Sequence, residues 1–131
     1  MEVKKSSALI ILKPEKAYTV NEVDLLFWKH HQEDNDIYSY NRFIDLTNLC
    51  QESFNSYNLM KFSDLIKRLR SDNNNQRSCF LCGNQGISDI ASVFLEIGKP
   101  DYANNRITTK IDECAAFLEL DPGMLELNAK H

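Results

Sequence analysis

Glycine and proline are scarce in this chain, four and three residues among 131. Architectures with many tight turns lean on both residue types. Their scarcity argues against a β-sandwich and towards long helices joined by short connections. Long apolar runs are missing too. The longest, Ala8 to Leu12, is five residues against the roughly twenty that a membrane-crossing helix needs. Lys4-Lys5 before that run superficially suits a secretory leader. However, Lys13-Pro14 ends it short of the roughly seven residues of an h-region, and no cleavage site follows. Nor is there an excess of positive charge: the net charge is −4 and the isoelectric point about 5.3, which gives no general attraction for phosphate backbones. With no leader, the four cysteines read as thiols or metal ligands in a reducing compartment. The expectation is a cytoplasmic protein with no membrane segment.

What is there fits one globular domain spanning 1–131. The length is typical of a single domain, and the 43% apolar and 26% charged fractions oppose wholesale disorder. Ser6 to Leu12, apolar and partly β-branched, predicts a short strand or an extended N-terminal arm over 1–18. Thr19 with Glu22 three residues on forms a capping box. It opens a helix that carries Val23, Leu26, Phe27 and His30 on one stripe. Tyr40, Phe43, Ile44, Thr47, Cys50 and Phe54 keep the 3.6-residue period, predicting a second helix from Asp36 or Ser39 to about Asn55. Leu59, Phe62, Ile66 and Leu69 predict a third.

Polar, aperiodic Ser71 to Gln76, continued through the cysteine segment to Gly86, predicts an exposed loop. Ser88 then caps a fourth helix, with Ile90, Ala91, Phe94 and Ile97 inward and Gly98 and Pro100 as its stop. Thr108 opens a fifth, and Asp121-Pro122 starts a short last one. The fold class expected is mainly α: a single-domain bundle of five to six helices.

Candidate chemistry is sparse. Cys79-Phe80-Leu81-Cys82-Gly83 could hold one metal between two thiolates, but tetrahedral zinc needs two further ligands. Cys50 and Cys114 could supply them, yet both fall on inward stripes, where free cysteine behaves as a small apolar residue. Structural thiols are therefore the first reading, zinc the second and redox chemistry the third. His30 and His31 are adjacent and diverge around a helix, so they do not form an i, i+4 ligand pair. Nucleophile elbow, phosphate loop and HExxH are all missing, so no catalytic residue and no cofactor is assigned.

Residues 109–127 outline a helix-turn-helix. They carry Asp112, Glu113, Glu119, Asp121 and Glu126 with no Lys or Arg, which phosphates would repel. Glu119 stands where such a turn usually has glycine. The basic residues cluster elsewhere, at Lys61, Lys67, Arg68, Arg70 and Arg77. Together with Trp28 and Tyr57, residue types enriched in interfaces, they are the candidate partner surface. By elimination the expectation is a small non-enzymatic module that binds another protein, or itself as a homodimer. An adaptor, chaperone, inhibitor or regulatory subunit would fit. A DNA-binding regulator using 109–127 and a zinc-stabilised module around Cys79 and Cys82 are the alternatives.

Overall fold

A run of buried apolar residues such as Leu9-Ile10-Ile11-Leu12 has no polar side to turn to water. A strand in the interior of a parallel sheet, covered on both faces, accommodates it. That is where the computed structural model places it. The structure describes residues 1–14, 20–49, 54, 56–71, 75–97 and 104–126. Its elements in order are β1 (Glu2–Lys4), β2 (Leu9–Leu12), α1 (Val20–His31), β3 (Asn41–Asp45), α2 (Ser56–Leu69), β4 (Ser78–Leu81), α3 (Gln85–Glu96), β5 (Asn105–Thr108) and α4 (Ile111–Leu118). Short 3₁₀ turns occupy Lys5–Ser7, Ile37–Ser39 and Pro122–Leu125.

The helical bundle expected from the sequence is not formed. The chain is α/β: one mixed sheet in the order β1-β2-β3-β4-β5, with β1 antiparallel to β2 and the other pairings parallel. The helices α1, α2, α3 and α4 fall close to where periodicity puts them. Two other assignments are corrected: the second helix of the bundle is instead β3, and the CxxC loop contains β4. The short N-terminal strand expected within Ser6 to Leu12 is β2, paired with β1. Each of these strands is short, and a short apolar run has no period of its own to separate strand from helix. In β4, Ser78 to Leu81 are all buried, so the segment is a central strand. The expected cysteine at position 50 of the second helix lies outside the described residues.

Strand order follows chain order from β2 to β5, and this decides how the two faces are covered. Ile10, Leu12, Ile44, Phe80 and Cys82 share one apolar cluster with Val23 and Phe27 of α1, Phe62, Leu65, Ile66 and Leu69 of α2, and Ile87, Ala91 and Leu95 of α3. All three crossover helices therefore pack on one face, as same-handed crossovers in sequential order require. The opposite face, Leu9, Ile11, Phe43, Cys79 and Leu81, is covered by Cys114, Ala115 and Leu118 of α4 and by Leu125. Lys4 of β1 donates from Nζ to the carbonyls of Met124 and Glu126 at 2.7 and 2.9 Å. The segment from α4 to the last 3₁₀ turn is thus a strap across the second face, tied down at the far edge. No helix among the described residues is long and apolar enough to cross a membrane.

Candidate functional site

Side chains alternate between faces along a strand, so register fixes what each end of the sheet presents. On the helix-bearing face, one row of Cα partners runs Ile10, Arg42, Ser78, Asn105. The row two residues further along runs Leu12, Ile44, Phe80, Ile107. Arg42 is therefore the point at which the apolar floor under α1 and α2 ends in a charge. Its guanidinium lies over the Phe27 ring, 5.0 Å from the centroid, and Nη1 donates to the Leu69 carbonyl at 3.4 Å.

Arg42 opens into a cleft of about 230 Å³ lined by Val23, Asp24, Phe27, Tyr38, Arg68, Arg70 and Gln76. Arg68, on the last turn of α2, reaches Asp24 of α1 at 2.5 Å. Arg70, just past the helix end, donates from Nη1 to the Ile97 carbonyl at 2.5 Å. Three guanidinium groups thus surround the cleft against one carboxylate. Phe27 and Tyr38 stack at 5.8 Å, and His31 leans on Tyr38 at 5.1 Å, making an aromatic wall. Trp28, 57% exposed, lies one helical turn beyond Asp24 on the same flank of α1.

A buried polar seam holds this end of the sheet in place. Asn105 accepts from the Ser71 N–H at 2.7 Å and donates back to the Ser71 carbonyl at 3.1 Å. Ser71 Oγ donates to the Gln76 carbonyl at 2.6 Å, and Ser78 Oγ to the Leu69 carbonyl at 2.9 Å. Gln76 Nε2 donates to the Tyr38 carbonyl at 2.5 Å, and Asn41 Oδ1 accepts from the Arg77 N–H at 2.8 Å. Such satisfied networks are stiff, because each bond lost would leave a buried polar group without water. The α2 terminus, and with it Arg68 and Arg70, is fixed relative to β3.

Protein-family models, curated proteins and solved structures give no match to this chain.

The basic residues singled out in the sequence do not form one surface. Arg68 and Arg70 line the cleft, with Trp28 on its flank. Lys67 lies on a separate groove between α2 and α3 with Leu59, Met60, Ser63, Asp64 and Phe94. Lys61 is half-buried on α2. Arg77 serves the strap: Nη1 donates to the Phe117 carbonyl at 2.8 Å, the guanidinium lies over the Phe117 ring at 5.6 Å, and Glu119 is 3.5 Å away. The Tyr57 side chain lies outside the described residues. Missed from the sequence were Arg42, Asp24 and Gln76. A lone arginine between Tyr40 and Phe43-Ile44 was the available signal, since a charge inside an apolar run marks a strand end.

The cysteines separate in the same way. Cys82 belongs to the cluster under the three crossover helices and Cys79 to the cluster under the strap. A spacing of three in extended chain sends the two sulfurs to opposite faces, so the CxxC pair does not converge as it would in a turn. Among the described residues no three His, Cys, Asp or Glu side chains gather as metal ligands. Cys79 meets Cys114 instead, with Sγ atoms 2.7 Å apart. Burial pushes the Cys82 thiol up to about 12. Cys79 is pushed up further by its contact with Cys114 and by burial.

At the carboxyl ends of the parallel strands, where α/β proteins commonly bind ligands, several of the described residues engage one another. Thr47 engages Asp45 Oδ1 through both N–H and Oγ1 at 3.0 and 2.6 Å, and Lys13 stands 3.5 Å from the same carboxylate. Asn84 caps α3 by accepting from the Ile87 N–H at 2.9 Å, in place of the expected Ser88. A Cβ on Gly83 would sit 3.4 Å from the Thr47 carbonyl oxygen, so the β3 and β4 exits close against each other.

Proposed function

We propose that this chain is a non-enzymatic binding protein that takes an acidic segment of another protein into the arginine cleft. The observation that carries this reading is the convergence of Arg42, Arg68 and Arg70 on one cavity in a chain of net charge −4. Arginine forks match carboxylates two bonds at a time, and arginine beside exposed tryptophan and tyrosine is the composition of interface hot spots. The cavity, about 230 Å³, is smaller than the roughly 300–1,000 Å³ of typical small-molecule sites. It suits one or two acidic side chains. Sequential strand order also leaves no crevice where crossovers part to opposite faces, the usual cradle of α/β cofactors.

A nucleic-acid partner has less support. Residues 109–127, expected as a helix-turn-helix, contain α4 followed by a four-residue 3₁₀ turn. The apolar side of α4 is spent on the sheet.

A glutamate-rich peptide titrated at low ionic strength tests the reading by calorimetry and by the fluorescence of Trp28, the one tryptophan. Saturable binding is expected, weakened about tenfold at physiological salt and abolished in R68E/R70E. Binding that the double reversal leaves intact would place the site elsewhere.

A further inference from the structure

A single buried thiol packs as a small apolar residue, whereas two thiols that meet in a core can also be joined by oxidation. Cys79 sits in β4, an interior strand of the sheet, and Cys114 on the covering face of α4, and both are fully buried. Their sulfurs, 2.7 Å apart, need to close by only about 0.7 Å to reach disulfide length. We propose that Cys79 and Cys114 are an oxidation site, whose disulfide staples the C-terminal strap to the sheet. This rests on the sulfur pair and the strap alone and is independent of the arginine cleft.

The oxidant is a small disulfide of the glutathione class. One protein thiolate attacks it, forming a mixed disulfide and releasing one small thiol. The second protein thiolate then attacks the mixed disulfide and releases the other. Two protein thiols and one small disulfide become one protein disulfide and two small thiols, and the two thiol protons end on the released thiols. The closed core shields both sulfurs and disfavours the Cys79 thiolate, so exchange proceeds through states in which α4 has lifted. That opening is local. The helix has eight residues, no side-chain N-cap bond, and a left-handed C-cap at Glu119. Once formed, the bond links residues 35 positions apart and removes the separation of strap from sheet.

Cys82 is the internal control, equally buried but facing the other cluster. The full-length chain, purified reduced, is incubated with glutathione disulfide, alkylated without reduction and mapped by peptide mass spectrometry. The expected product is an intramolecular Cys79–Cys114 peptide pair, with Cys82 alkylated only after unfolding. The melting temperature should rise by about 10 °C on oxidation, in C82S as in the parent, and stay unchanged in C114S. Mapping of the unsubstituted chain decides the case even if a variant folds poorly. A link through Cys82, a link between two chains, or no link after prolonged incubation would overturn the proposal.

Discussion

Asp34 and Tyr40 show how one hydrogen bond ties two titrations to the fold. The Tyr40 hydroxyl donates to Asp34 Oδ2, and Asp34 Oδ1 accepts from the Asp36 N–H at 3.0 Å. Both bonds favour the carboxylate and hold Asp34 below its ordinary value, Tyr40 contributing most. The same bond pushes the Tyr40 phenol up to about 12. A depressed acid contributes stability above its unfolded pKa and loses it as pH falls through the folded one. A raised phenol contributes below about pH 10 and loses that between there and 12. Tyr40→Phe should therefore destabilise the chain by a constant amount between roughly pH 4 and 10, with the difference shrinking at both extremes. Urea unfolding of both proteins across pH checks this, and a difference independent of pH would separate the bond from the carboxylate charge. Glu119 is a second case. It caps α4 at φ 60°, ψ 43°, a conformation in which a Cβ is strained. Its ion pair with Arg77 is 3.5 Å long, with the glutamate side chain 78% exposed, and contributes little. Glu119→Gly should stabilise by about 0.5–1 kcal/mol in thermal melts, whereas Glu119→Ala, which keeps the strain, should not.

At the scale of elements, the helices and the first parallel strand, β2 (Leu9–Leu12), were legible in the sequence and the later strands were not. The stripe Phe62, Ile66, Leu69 persists over enough turns to be diagnostic, and α2 buries all three with Leu65. The strands β3, β4 and β5 have five, four and four residues. Within β3, Phe43 and Ile44 are both buried but on opposite faces. Such neighbours match a helical stripe as well as they match a two-sided strand. Polar flanks hid β4: Ser71, Gln76 and Ser78 read as loop residues, yet all are buried because they hydrogen-bond across the strand ends. The arginine cleft was half-visible for the same reason. Arg68 and Arg70 belong to a recognisable helix end, whereas Arg42 gains meaning only from sheet register. Phe80 measures the difference between loop and strand. It is fully buried on an interior strand, so Phe80→Ala should cost about 3–5 kcal/mol in denaturant unfolding. In an exposed loop the cost would stay near 0.5 kcal/mol, as expected for Val93→Ala, at a side chain 58% exposed on α3.

For the whole molecule, sequential strand order makes the two sheet faces unequal. Three helices of 12, 14 and 12 residues cover one face, and an eight-residue helix with a four-residue 3₁₀ turn covers the other. The apolar surface joining cover to sheet sets the free energy of local opening, so the strap is the cover that detaches first. Its polar ties do not alter this ranking. Arg106–Glu113 joins β5 to α4 at 2.9 Å with both side chains more than a third exposed, and such pairs contribute little. Glu113 is held below its ordinary value chiefly by that arginine. Native-state hydrogen exchange should therefore show the amides of Ala115 to Leu118 opening well below the global free energy. Those of Phe43 and Phe80 should exchange only through global unfolding. The Cys79–Cys114 bond would remove the distinction, because opening the strap would then require disrupting β4. Oxidised protein should show Ala115 to Leu118 exchanging together with β4. Equal protection of strap and β4 already in the reduced chain would mean that the two faces are equally firm, leaving the buried thiols no opening through which to react.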